Sequence, residues 1–241
     1  MLQDAEELVR WSAERFGSRL ALITSFQREG MVLVDMAARL IPGVALFTLD
    51  TGRLPAETFQ MFELVKKRYG MPIHLISPEP SELEYMVTEH GPDLFRTDVA
   101  SRMLCCNIRK VRPLARRMRD YDACLVGLRR EQNESRAGIE QVDWHSTPVK
   151  IAPLAFWSGA EVEAYTERHR VPDHPLYARG FASIGCAPCT RAIQPGENER
   201  DGRWWWEEGA AKECGLHFTA DGRAQRRVDV LLEDVLSHAR A

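Results

Sequence analysis

Short apolar runs recur along the first two-thirds of this chain, and they constrain it most. They are "LALITS" from Leu20, "GVALFTLD" from Gly43, "MPIHLIS" from Met71, "ACLVGL" from Ala123 and "VKIAPL" from Val149. Each is short enough for a strand, and none alternates apolar with polar residues as a half-exposed strand does. Helical segments lie between them: Gln3 to Phe16, "MVLVDMAARL", Pro55 to about Tyr69, the basic run after Cys106, and "SGAEVEAYTERHR". Pro55 and Glu57 suit a helix start, and Ser158 suits a helix cap. Strands that are apolar on both sides need cover on both faces, so the expected fold is α/β, with a parallel twisted sheet between helices. In such sheets ligands bind beyond the carboxyl ends of the strands. That rule singles out Ser25 to Gly30, Asp50 to Leu54, and Gly127 to Gln132.

A chain of 241 residues is long enough for one such domain, expected to span 1–241. The rhythm ends near Val171. Residues 171–217 are rich in Gly, Pro, Cys and Trp and read as an irregular, site-building segment rather than a separate domain. The final helix is expected in "RAQRRVDVLLEDVLSHAR". A formal net charge of −3 provides no global field for nucleic acid or a membrane surface. No run approaches the ~18–20 apolar residues of a spanning helix, and "MLQDAEELVRWSAERF" lacks the apolar core of a signal peptide. The expectation is a cytoplasmic protein with no nucleic-acid or membrane partner; a homo-oligomer is left open.

In the cytoplasm six cysteines point to metal ligation or catalysis rather than disulfides. Cys105 and Cys106 are adjacent, and a disulfide between neighbours is strained. Cys186 and Cys189 form "CAPC", which alone is open to a redox pair, half a zinc site or half an iron–sulfur site. Neighbouring thiolates converge poorly on one tetrahedral ion, whereas a [4Fe–4S] cluster offers separate corners to four thiolates. Zinc and an inert buried core remain the alternatives. A basic run follows the adjacent pair. On a helix Lys110 would lie one turn beyond Cys106 and Arg109 one turn beyond Cys105, near a negatively charged cluster. Pro113 is expected to interrupt or kink that helix. Arg116, Arg117 and Arg119 read as a solvated face. Cys124, inside an apolar strand, reads as structural. Cys214, in "KECGLH", has polar neighbours and reads as an exposed thiol, either a nucleophile or incidental. The tryptophans of "RWWWE" read as a hydrophobic anchor.

Taken together, "TSFQREGMVLVDM", "TLDTGRL", "CCNIRKVRPL", "GLRREQ", "SIGCAPCTRAIQPGE", "GRWWWE" and "ECGLH" resemble the assimilatory adenylyl-sulfate reductases of the sulfonucleotide reductase family. The resemblance implies an adenine-nucleotide alpha hydrolase-like fold. It implies a [4Fe–4S] cluster on Cys105, Cys106, Cys186 and Cys189, and Cys214 as nucleophile. Ser25, Phe26 and the loop after them would cradle phosphate. Leu49, Asp50 and Thr51 would border the nucleotide, and Lys110, Arg200 and Arg203 would meet the phosphosulfate. The chain departs from the commoner pattern at Gly30, where an acidic pair usually ends the loop. It departs again at Asn133 and Glu134, in place of the usual Ser-Pro-Thr-Arg, although Arg136 remains.

The implied reaction is attack by Cys214 on the sulfur of adenosine 5′-phosphosulfate, leaving an S-sulfocysteine. With four cysteines committed and Cys124 in a strand, an external dithiol, thioredoxin, is the expected reductant. The alternatives are a 3′-phosphoadenylyl-sulfate or dual-specificity reductase and, more distantly, a non-catalytic iron–sulfur sensor. A tRNA sulfur-transfer enzyme would want an S-G-G-x-D-S loop, which is not present; nor is a Walker loop.

Overall fold

Asp4 starts the first helix: its carboxylate accepts the backbone N–H groups of Glu6 and Glu7 at 2.9 and 3.3 Å. The helix, α1 (Ala5–Phe16), leads into β1 (Leu20–Ile23) in a computed structural model that describes residues 4–132, 134–207 and 222–239. Next come α2 (Arg28–Leu40), β2 (Ala45–Leu49), α3 (Ala56–Tyr69), β3 (Ile73–Ile76) and α4 (Pro80–His90). The basic region forms α5 (Val99–Cys106) and α6 (Arg112–Met118), followed by β4 (Ala123–Val126), β5 (Val142–Asp143) and β6 (Val149–Ile151). α7 (Gly159–His169) and α8 (Gly222–His238) complete the described elements. Ser158 caps α7 through a reciprocal capping box with Glu161, as its sequence predicts.

The strands lie in the order β3-β2-β1-β4-β6-β5, all parallel except the short pair β5–β6. Side chains alternate across this sheet. Leu20, Leu22, Ala123 and Leu125 face the core that also holds α1, α2 and α7 residues such as Leu8, Met36 and Val162. Ala21, Phe47, Ile76 and Cys124 face the opposite side, under Met118 of α6. The sheet is thus covered on both faces, as the continuous apolar runs require. A third cluster, off the sheet, gathers Met86, Phe95, Leu104, Trp204 and Val235 around Cys105, Cys106, Cys186 and Cys189.

The sequence pattern gives no warning of α4 or β5. The side chains that α4 contributes to the third cluster are few (Leu83, Tyr85, Met86 and Val87), and its buried Glu82 pairs with Arg112, at 2.9 Å from Nε. Pro113 acts differently from a simple break. It lacks the N–H that an α-helix would direct to the Arg109 carbonyl. Residues Asn107–Val111 form a π-helical turn instead, and the Arg112 N–H reaches the Asn107 carbonyl five residues back. After α7, residues up to 207 contain only single 3₁₀ turns, at Tyr177–Arg179 and Ala187–Cys189, and one bridge between Thr190 and Arg203.

Candidate active site

The order of the strands reverses between β1 and β4, and a cleft of about 1010 Å³ opens beyond their carboxyl ends. At its base the backbone turns tightly. After β1 the Thr24 hydroxyl accepts the Phe26 N–H at 3.0 Å, and Phe26 turns into the left-handed region at φ 58°. That turn delivers the N-terminus of α2, whose amides suit an anion. Two glycines allow the parts to close. A Cβ on Gly30 would lie 2.7 Å from Thr24 Oγ1, and one on Gly127 would lie 2.8 Å from the Gly30 nitrogen. A side chain at position 30 would require the Thr24 hydroxyl to move. Beside this junction Glu29 pairs with the buried Arg129 at 2.9 Å, and Arg129 also donates to the Trp157 carbonyl at 3.3 Å.

A second, smaller cavity lies next to the first. It is lined by Cys105, Cys106, Cys186 and Cys189 with Arg53, Phe95, Arg102, Arg109, Lys110 and Trp204. The loop after β2 ties the cavities together. Thr51 Oγ1 lies 3.2 Å from Cys186 Sγ, and the Thr51 carbonyl accepts Arg109 Nη1 at 2.7 Å. The Arg53 carbonyl accepts the Ala187 N–H at 2.8 Å, which fixes the start of the 3₁₀ turn between Cys186 and Cys189. On the far side Arg102, wholly buried, meets Glu207 at 2.6 Å and stacks over Trp204 at 4.5 Å.

Burial pushes the Cys105 thiol up to about 11 and the Cys189 thiol up to about 12. Burial acts on Cys186 too, but Lys110, the Thr51 hydroxyl and Arg203 outweigh it and hold that thiol below its ordinary value. Among the described residues no three His, Cys, Asp or Glu side chains converge as a single metal ion requires. Three buried donors on the cavity wall, Arg53 Nη1, Arg109 Nε and Trp204 Nε1, have no acceptor among the described residues. Four thiols on a shared wall, with donors left over and cations beside them, fit an anionic cluster with several metal corners better than one ion.

Of the residues assigned to the substrate by resemblance, Ser25, Leu49, Thr51, Lys110, Arg200 and Arg203 line the cleft. Phe26 and Asp50 do not. The Phe26 ring is buried against Phe62, and Asp50 Oδ1 accepts the Gly52 N–H at 2.8 Å. Lys110 borders both cavities. Trp204 is a buried anchor, whereas Trp205 is 37% exposed beside Arg96. Cys124 is buried in β4 and also lines the cleft. Cys214 and Asn133 lie outside the described residues, and Glu134 lies in a turn (Glu134–Arg136). Arg129, inside the expected ligand loop Gly127 to Gln132 but given no role of its own, and Tyr177, outside the three expected ligand loops, also line the cleft. The only local signal for Arg129 is its place in the loop after a strand; Tyr177 has none.

The sequence matches the family profile described as "Phosphoadenosine phosphosulfate reductase domain" over residues 19–192. Relatives named "Adenosine 5'-phosphosulfate reductase" include one from Allochromatium vinosum, 45% identical over 82% of this chain and 78% of its own. Another, from Burkholderia cepacia, is 44% identical over 83% of this chain and 81% of its own. A crystal structure of phosphoadenylyl-sulfate (PAPS) reductase from Candida auris, a phosphate complex, superposes with a TM-score of 0.67 at 28% identity, covering 78% of this chain and 91% of that one. With the profile spanning the β1–β4 cleft and all four cavity cysteines, the chain belongs to the phosphoadenosine phosphosulfate reductase family.

Proposed function

We propose that this protein is an oxidoreductase that reduces adenosine 5′-phosphosulfate to sulfite and AMP in sulfate assimilation, with thioredoxin as reductant. The observation that carries the reading is the shared wall: an anion-suited cleft and an array of four cysteines meet at Lys110. Residues 1–241 act as one catalytic unit, with 171–217 completing the site. The names of the relatives support the substrate without a 3′-phosphate.

In this reading the adenosine moiety occupies the apolar part of the cleft, beside Ile23, Leu49, Leu114 and Val126. The phosphosulfate lies toward the N-terminus of α2, with Lys110, Arg200 and Arg203 neutralising its oxygens. The Cys214 thiolate attacks the sulfur; an S–S bond forms, the phosphate O–S bond breaks, and AMP leaves with the electron pair. A thioredoxin thiolate then attacks Cys214 Sγ. This forms a mixed disulfide and expels sulfite, and the second thioredoxin thiol regenerates the free Cys214. Cys105, Cys106, Cys186 and Cys189 would hold a [4Fe–4S] cluster, which supplies a fixed charge and a brace beside the cleft. Arg109, Thr51 and Arg53 hold the loop after β2 against that ligand set.

The test is turnover by purified, iron-replete protein with thioredoxin, using adenosine 5′-phosphosulfate and its 3′-phosphorylated counterpart. Faster sulfite release from the first is expected. Preference for the second would make the chain a 3′-phosphoadenylyl-sulfate reductase, and release from neither would favour a sensor. Without reductant the reaction should stop after one AMP per enzyme, with an added SO₃ on the Cys214 peptide by mass spectrometry; Cys214→Ser should form none.

A further inference from the structure

The stretch "HPLY" lies in the irregular segment, yet it is fixed with unusual care. His174 is buried; its Nδ1 accepts the Leu176 N–H at 3.3 Å, which leaves Nε2 to donate to Thr58 Oγ1 at 3.1 Å. Downstream, the Ile184 N–H donates to Gln27 Oε1 at 2.9 Å, and Gln27 Nε2 donates to Ser25 Oγ at 3.0 Å. Asp173 holds the Arg28 guanidinium at 2.9 Å. Residues 173–184 are therefore tied at one end to the first residue of α2 and at the other to the loop after β1, and Tyr177 is carried to the N-terminus of α2.

There the phenol oxygen accepts the Arg28 N–H, the first amide of α2, at 3.3 Å, while the Arg28 guanidinium lies 4.4 Å from the ring centroid. A phenol that accepts a hydrogen bond still has its own proton to give. Among the described residues nothing accepts it: Glu29, the nearby carboxylate, is engaged by Arg129. Tyr177 lines the cleft, and burial holds the phenol in its protonated form. The first amide of α2 is thus already occupied, and the hydroxyl extends its donor character outward.

We infer that Tyr177 is a substrate-binding residue whose O–H donates to a phosphate oxygen of the nucleotide at the N-terminus of α2. The inference rests on the sulfonucleotide reading of the cleft. It assigns to the irregular segment a direct contact with the anion. A hydrogen bond from a neutral donor to a charged acceptor is among the stronger side-chain contacts. Its loss should be felt by every ligand with a 5′-phosphate and by none without one.

The experiment is calorimetric titration of AMP and of adenosine into iron-replete wild-type and Tyr177→Phe protein. Tyr177→Phe should bind AMP roughly 10-fold more weakly while binding adenosine within about twofold of wild type. Unchanged AMP affinity would overturn the assignment. So would an equal loss for both ligands, since the ring would then be acting by packing alone. The AMP-to-adenosine ratio is internal to one sample, so it decides the matter even if the variant melts earlier. A wild-type protein that binds no AMP would instead overturn the reading of the cleft, and this inference with it.

Discussion

The cleft beside β1 and β4 is built around a tight backbone junction, whereas the cysteine cavity next to it is lined by thiols and guanidinium groups. In the cleft the deciding features are a left-handed turn at Phe26, the N-terminus of α2 and the close approach of Gly127 to Gly30. In the cavity they are thiols and guanidinium groups from α5, the π turn, the loop after β2 and the segment around Cys186. Backbone sites are stiff because the segments that present their donors are held by the sheet and helix ladders. Buried thiols and guanidinium donors without acceptors gain most from what they bind. The cavity should therefore depend on its occupant far more than the cleft does.

Cys105→Ser should have the largest effect. It should lower the iron content from about four per chain, bleach the brown colour and abolish sulfite release. AMP should still bind within about tenfold of wild type, because the α2 amides and Arg129 are untouched. Loss of AMP binding along with iron would show that the two regions form a single cooperative unit. Lys110→Ala probes the shared wall. Removing a cation from a site of developing negative charge costs roughly 3–4 kcal/mol in activation, and iron should stay bound. Equal loss of iron and rate would place Lys110 in the cavity only.

Gly127→Ala attacks the cleft from the other side. The new methyl would press on the backbone of Glu29 and Gly30, at 2.9 and 2.8 Å, so the start of α2 must shift. Overpacking of this kind costs about 1–3 kcal/mol. A lower thermal midpoint and weaker AMP binding are expected, with unchanged iron per folded chain. Arg116→Ala should do least. Its pairing with Glu79 at 2.9 Å joins two half-exposed side chains, and such pairs contribute about 0–1 kcal/mol. A large loss of rate in Arg116→Ala would mean that the solvated face had been misread.

Local chemistry carried much of the fold into view. The apolar runs anticipate β1 to β4 and β6. For β1, β2 and β4 burial on both faces leaves a composition that no half-exposed strand shares, while the edge strand β3 keeps an apolar run although Leu75 is 43% exposed. The cap at Ser158 is legible because it needs only residues three apart. Sequence alone also determined the cysteine inventory and the basic run beside it. It did not reveal α4, whose apolar face is completed by α8, or the two-residue β5, which exists only by pairing with β6. Spacing pointed Cys105 and Cys106 with Cys186 and Cys189 toward a shared cluster but left zinc and an inert core open, and the resemblance chose among them. What physically joins them is the Thr51–Arg109 and Arg102–Glu207 contacts, between residues 58 and 105 positions apart. Tyr177 was invisible for the same reason. No spacing rule links a tyrosine to a helix 149 residues earlier; only the folded segment brings its hydroxyl to the Arg28 amide. Periodicity and capping are short-range and survive in the bare sequence. Ligand arrays and donor geometry are long-range, and the tertiary structure alone decided them.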